Sequence, residues 1–375
     1  MKYVRAKTLY DGTGSRRDVY IGFGNRIEEI TEKKPDGDII GEGFVTPAFI
    51  DAHSHIGMVR AGEPSGEDES NEHMDPAFPM INAIHSIYMD DTAFQESVEN
   101  NFLYSSILPG SGNPIAGKVV LMRNFKTNVK DAYIQDVGIK AALGYNPRST
   151  TDWGGRRPTT RMGAIAILRE RFLKARKTSN LLSSGKKVQD EIDPLDEVLM
   201  DILQKKLPLM VHLHREDDAY VLMSLIDEFG FRAIINHAMD IYRKSAFEAM
   251  KSRGIDLVYG PLDSHPYKVE LKHESWRNCK AVMDSGIRFC MMSDHPVILQ
   301  RNMFLTMRHF LRFGMSKETA ISKLTSEPAA ILNIQGLGHI KKGYIPSFSI
   351  WNEDPFSLES HPTTVVAEGE IVYQE

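Results

Sequence analysis

Apolar and polar positions along the chain fall into two rhythms. Near both ends they alternate residue by residue, the period of a strand with one buried face. Val19, Ile21 and Phe23 alternate, Gly24-Asn25 supplies a tight turn, and Ile27 and Ile30 resume the pattern. At the far end Phe348 and Ile350 alternate, Val365 and Val366 lie in a second strand, Glu368-Gly369 turns, and Ile371 to Tyr373 form a third. Neither end has enough strands to bury a face alone. Residues 1–46 and 340–375 are therefore expected to pair into one small β-sandwich domain built from both termini.

Between the ends, short apolar runs alternate with longer helical stretches. That is the pattern of βα units around a parallel sheet. The expected strands are Val45 to Ile50, Phe102 to Leu108, Gly138 to Leu143, Leu207 to Leu213, Ala233 to His237, Asp256 to Gly260 and Ile287 to Met292, with Val119 to Met122 as an eighth. Met162 to Arg176 reads as a helix capped by Thr159 or Thr160, and Ala219 to Phe229 as another. Residues 47–339 suffice for a (β/α)8 barrel, which typically needs ~250. No Gly-rich nucleotide fingerprint follows a strand, which disfavours an open doubly wound sheet. Ala61 to Pro79, acidic, and Lys174 to Pro194, polar, read as insertions. The first is expected to be a lid over the strand ends or a disordered surface loop.

Composition narrows the class without naming a chemistry. Hydrophobic residues are 42%, charged residues 25%, and the formal charge is -5, so no basic footprint for nucleic acid or membrane is present. Cys279 and Cys290 lack ligand spacing and suit reduced core positions in a cytoplasmic protein. The amino-terminal residues lack a signal-peptide core, and no apolar run approaches a membrane span.

The candidate chemistry sits where strands end. The run VTPAFIDAHSHIGM, Val45 to Met58, is an apolar strand closing on His53 and His55, two imidazoles on one face. Such a pair can grip a divalent metal. One such motif is weak evidence. However, LPLMVHLHREDD ends a strand on His212 and His214, RAIINHAMD ends one on His237, and IRFCMMSDHP ends one on Asp294. In a barrel all strand ends meet at one face, so four weak signals become one strong one. Lys140 lies in an otherwise apolar strand, where burial favours its neutral, reactive amine.

At this point the chain resembles the amidohydrolase superfamily of metal-dependent hydrolases, over nearly its whole length. More narrowly it is similar to the imidazolonepropionase-related amidohydrolases, through LPGSGNPIAG (108–117), ALGYNPR (142–148), TRMGAIAILRE (160–170), HLHREDD (212–218) and SDHPV (293–297). The resemblance implies a distorted (β/α)8 barrel with a β-sandwich, and hydrolysis of a C–N bond in an amide, cyclic amide or peptide-like small molecule. It implies His53, His55, His212, His237 and Asp294 as ligands of one or two divalent ions, zinc first. It favours His212 over His214 as the ligand in its triplet, and makes Lys140 the candidate for a metal-bridging carbamate. Asp294 would be the proton shuttle, with His237 helping to polarise the carbonyl. His214, Arg161 and His265 are the candidate substrate contacts. Tyr145 is a departure, since related proteins often carry an acidic residue there. Two rivals stand: an aminohydrolase of a nucleobase-like ring, and a non-catalytic binding protein on the same fold. A small molecule is the expected partner, with a homo-oligomer left open.

Overall fold

The computed structural model describes residues 1–60, 68–149, 157–266 and 268–375. Four strands open the chain: β1 (Lys2–Tyr10), β2 (Ser15–Phe23), β3 (Ile27–Thr31) and β4 (Asp38–Pro47). Eight follow: β5 (Phe49–Ser54), β6 (Phe102–Ile107), β7 (Ile115–Arg123), β8 (Tyr133–Ala142), β9 (Leu209–Leu213), β10 (Ala233–His237), β11 (Asp256–Tyr259) and β12 (Phe289–Met291). Three close it: β13 (Phe348–Trp351), β14 (Pro362–Ala367) and β15 (Glu370–Gln374).

The terminal strands form one seven-stranded sheet in the order β15-β14-β13-β4-β1-β2-β3. Both ends of the chain meet where β4 pairs antiparallel with β13. The alternating residues read from the sequence fill its core: Val19, Ile21, Phe23, Ile27, Phe348, Ile350 and Val366 pack with Val4 and Leu9. The run Val45 to Ile50, expected as one strand, is split. Its first part belongs to β4 and its second to β5, because Pro47 has no N–H to continue a ladder and the Ala48 N–H turns to Ser347 O at 2.9 Å.

Strands β5 to β12 form the second sheet, in sequence order. Hydrogen bonds beyond the strand ends bring its edges together, from Asp294 N–H to His53 O at 3.0 Å and from His55 N–H to His295 O at 3.1 Å. The expected eight strands are all present, but β7 runs antiparallel to both β6 and β8. The connections around β7 are too short for the crossover helices that parallel pairing needs. This is the distortion of the barrel.

Alternation sorts the barrel residues. Met210, Ile234, Val258 and Cys290 share the inner cluster with Ile50, Ala52, Tyr104 and Leu121. Their neighbours Val211, Ile235, Leu257 and Met291 join the outer layer of helices. The helix Arg161–Ser183 begins at Thr160, whose hydroxyl accepts from Gly163 N–H at 3.1 Å. It runs through the first part of the expected insertion at 174–194, because Ala175 and Thr178 are buried and Thr178 Oγ1 donates to Asp196 Oδ2 at 2.9 Å. The helix Glu216–Phe229 starts one turn earlier than expected, with Glu216, Asp217 and Asp218 in its first turn, where the helix dipole favours them.

Of the other insertion, residues 61–67 lie outside the described residues. The remainder is a strap rather than a loose loop. Ile115 N–H donates to Pro76 O at 3.2 Å, Phe78 N–H to Ile115 O at 3.0 Å, and Lys118 N–H to Ile81 O at 2.8 Å. Asn71 Oδ1 accepts from Gly112 N–H at 2.7 Å. Among the described residues no helix is long and apolar enough to cross a membrane. Cys279 and Cys290 are both buried and unbridged.

Candidate metal centre

Two groups of ligand-type side chains gather at the strand ends of the barrel. One is His53, His55 and Asp294, from β5 and the turn after β12. The other is His212, His214 and His237, from the ends of β9 and β10. Within each group the ligand atoms lie within 4.8 Å of one another. The groups adjoin, since the rings of His53 and His237 are 4.9 Å apart, and those of His212 and His237 are 4.3 Å apart. Thus the six residues read from separate strand ends converge.

Local backbone geometry does what strand parity alone would not. Ile235 faces the outer layer, so simple alternation would send His237 the same way. Instead the backbone turns left-handed at His237 (φ 79) and Ala238 (φ 59), and the imidazole lies against His212 and His53. Asp294 is also left-handed (φ 52). Non-glycine residues held there cost energy and concentrate at functional sites. On β5 the pairing register shifts between Asp51 and Ser54, across His53.

The imidazoles are oriented by what they donate to. His55 Nδ1 is 2.8 Å from Leu108 O, and His237 Nδ1 is 3.0 Å from Gly260 O. A carbonyl can only accept, so both rings carry the proton on Nδ1 and keep the Nε2 lone pair for a ligand. His53 Nε2 and His55 Nε2 lie 3.2 and 3.3 Å from Asp294 Oδ1. His212 Nε2 lies 3.3 Å from the Asn146 side-chain amide, which also donates to Ser111 Oγ at 2.6 Å.

Burial sets the charge states. It pushes His53 and His214 down to about 3 and holds His212 and His237 well below the usual range, so all four are neutral near pH 7. Burial alone would raise the Asp294 carboxyl. The neighbouring imidazoles of His237, His53 and His55 outweigh it and keep that carboxyl well below its ordinary value. Lys140 is fully buried, with Nζ 3.4 Å from His53 Nε2. Burial brings it down to about 7, against the opposing pull of Asp294.

This donor set fits a divalent cation. It offers neutral imidazoles and one ionised carboxylate in a buried cluster. The Nδ1 atoms of His53 and His214 are buried without hydrogen-bond partners, which native structures rarely tolerate without a reason.

The candidate substrate contacts separate. His214 is buried within the cluster. Arg161 is not poised over it, because its guanidinium grips the buried Asp218 carboxylate at 2.6 and 2.7 Å. It also lines an apolar cavity of about 700 Å³ with Leu143, Ile165, Leu173 and Val221, and none of the six cluster residues lines that cavity. His265 is exposed on the loop after β11, and no described contact ties it to the cluster. Tyr145 supplies no carboxylate, but its N–H donates to the buried Glu270 carboxylate at 2.8 Å.

Sequence reasoning missed several supporting residues. Asp51, fully buried, accepts from His53 N–H at 3.2 Å, Ser293 N–H at 3.1 Å, the Ser293 hydroxyl, and Gln300 Nε2 at 2.7 Å. It therefore ties the His53 strand end to the segment carrying Asp294. Its place just before the histidine pair was the available signal; Ser293 and Gln300 lie some 240 residues away and offered none.

Known proteins resemble this chain in sequence and in fold. Residues 188–372 match the model of the amidohydrolase family. Amidohydrolase tasK of Hapsidospora irregularis is 24% identical over 93% of this chain, which spans only 39% of that protein. A solved amidohydrolase from Thermotoga maritima is 27% identical, with complete coverage of both chains and a TM-score of 0.93. A prolidase solved with N-methylphosphonate-L-proline shares the fold at 16% identity, over all of both chains, with a TM-score of 0.62. A barrel with six ligand-type residues at its strand ends, a sheet joining both termini, and these matches point one way: residues 188–372 carry the amidohydrolase family pattern, and the whole chain is similar in sequence and fold to a solved amidohydrolase.

Proposed function

We propose that this protein is a metal-dependent hydrolase that cleaves a C–N bond in an amide, cyclic amide or peptide-like small molecule. The carrying observation is the convergence of His53, His55 and Asp294 with His212, His214 and His237 at one end of the barrel. His53, His55, His212, His237 and Asp294 would hold one or two divalent ions, zinc first, with Lys140 between the two groups. A divalent ion bound there would supply the acidity that lets water attack near neutral pH and would polarise the scissile carbonyl.

The chain's own residues do the rest. Asp294 stays ionised and lies between His53 and His55. It accepts the proton of the attacking water, then delivers it to the leaving nitrogen. His237, oriented by Gly260 O, would help to polarise the carbonyl. His214 contacts the substrate. Lys140, with much of its population neutral, can add carbon dioxide at Nζ and release a proton; the resulting carbamate would offer an anionic oxygen ligand should the site hold two ions. The narrower likeness to imidazolonepropionase-related enzymes rests on the motifs alone.

The test is a panel of N-acyl amino acids, dipeptides, cyclic amides and amino-heterocycles, run on zinc-loaded protein with Asp294→Asn as the blank. Release of an amine or carboxylate from the wild type but not from the blank supports the proposal. Ammonia from an amino-heterocycle alone would instead identify a deaminase. No turnover across the panel, with zinc bound, would favour a binding protein.

A further inference from the structure

Asn236 is fully buried, and neither its side-chain oxygen nor its nitrogen has a hydrogen-bond partner. An amide can make four hydrogen bonds, so none of this capacity is met in a place where polar groups are normally paired. Its position in the fold says what it faces. On β10 it shares parity with Ile234, which belongs to the inner cluster, so Asn236 points into the barrel. On β9, His212 lies directly beside it, and on β8, Ala142 lies beside His212. Lys140 also points inward, since Ile139 and Ala141 belong to the outer layer.

Lys140 and Asn236 belong to the same tier of the interior. Interior side chains of such a barrel stack in tiers drawn from alternate strands, and a shear of 8 over eight strands advances the tier about one residue per strand. The register partners of Lys140 are Met210 on β9 and then Ile234 on β10. Two strands on from Lys140, its tier-mate is therefore two residues beyond Ile234, which is Asn236. The direction of advance is fixed by the site: His237, three residues beyond Ile234, is the β10 residue whose ring meets His53. Lys140 Nζ is itself weakly held, with His53 Nε2 at a long 3.4 Å.

We infer that Asn236 is a positioning residue for Lys140, its amide holding the lysine head group through an enclosed water molecule. A buried water needs two to four polar partners. Asn236 Oδ1, Asn236 Nδ2 and Lys140 Nζ supply them. An amide presents both an acceptor and a donor, so it serves the free amine and a carbamylated lysine alike. The inference builds on Lys140 belonging to the metal centre, but its first test does not depend on any activity.

That test is a crystal structure of the metal-free protein. A water within hydrogen-bond distance of both Asn236 and Lys140 is expected, and a dry amide would overturn the inference. The second is zinc affinity by competition with a chelator, in Asn236→Leu and Asn236→Ser. Leucine fills the space with no polar atom and should weaken zinc binding at least tenfold, the usual scale for a group supporting a ligand. Serine leaves room for a second water and should keep zinc affinity close to that of wild type. If the leucine variant does not fold, a crystal structure of the serine variant decides: an enclosed water reaching Lys140 supports the inference, and none overturns it. Equal zinc affinity in wild type and a folded leucine variant would also overturn it. Wild type that binds no zinc but keeps the bridging water would sink the hydrolase reading while sparing this one.

Discussion

His53 and His214, with the other two buried histidines of the cluster, are residues on which acid stability turns. Burial holds the first two at about 3, whereas an unfolded histidine takes its proton near 6.5. Between those values the unfolded chain binds more protons, so their contribution is complete above pH 6.5 and is lost as pH falls towards 3. Asp51, raised to about 6 by burial, works the other way between about pH 4 and 6. Two depressed histidines outweigh one raised carboxyl, so metal-free protein should lose stability from pH 6.5 to 4 in urea titrations. A His214→Gln variant should show a visibly shallower slope; an unchanged slope would mean that the cluster does not stay neutral in the fold. The pair His212 and His214 separates ligand from contact. His212→Ala should lower zinc occupancy, and His214→Ala should lower turnover with zinc retained, both read by elemental analysis beside the assay.

Among the elements, the close fit of the strap against β7 and the turn before it explains two glycines of LPGSGNPIAG, Gly117 and Gly110. A Cβ on Gly117 would lie 2.0 Å from the backbone oxygen of Ile81, and one on Gly110 would meet the Asn71 side chain. Backbone cannot yield as a flexible side chain can, so Gly117→Ala must push the strap off β7. It is expected to cost roughly 1–3 kcal/mol, the range for overpacking a filled site. Gly110→Ala should cost less. Urea midpoints of the two variants check both, and a neutral Gly117→Ala would show that the strap does not sit against the strand in solution.

For the whole molecule, the seam between terminal sheet and barrel is held by Asn101. Its Nδ2 donates to Thr46 Oγ1 at 3.0 Å and to Pro47 O at 2.9 Å, and its Oδ1 accepts from Ser349 Oγ at 2.6 Å. Trp351 Nε1 adds a bond to Thr46 Oγ1 at 2.9 Å. One side chain thus joins the entry to the barrel, the amino-terminal sheet and the carboxy-terminal strands. Asn101→Ala strands several buried polar groups, each worth about 1–3 kcal/mol when unmet. Differential scanning calorimetry should show a lowered transition with zinc affinity unchanged, since no bond of Asn101 reaches the histidines. A loss of zinc binding in this variant would mean that the seam and the site are coupled.

The sequence by itself determined the strand ends that carry chemistry and the pairing of the two termini. Both follow from local periodicity: an apolar run sets a strand, and the polar residues closing it mark its end. The identities His53, His55, His212, His214, His237 and Asp294 were legible for that reason, as was the buried place of Lys140. What tertiary structure decided lies in contacts between distant residues and in backbone turns that periodicity does not encode. Strand parity would have sent His237 outward, and only the left-handed turn at that residue brings it in. Arg161, a plausible substrate contact in sequence, is held by Asp218, 57 residues on. Asp51 finds Ser293 and Gln300 only because the barrel's first and last strands meet. β7 reads as a strand in any direction, and its reversal is fixed by connections too short to cross over.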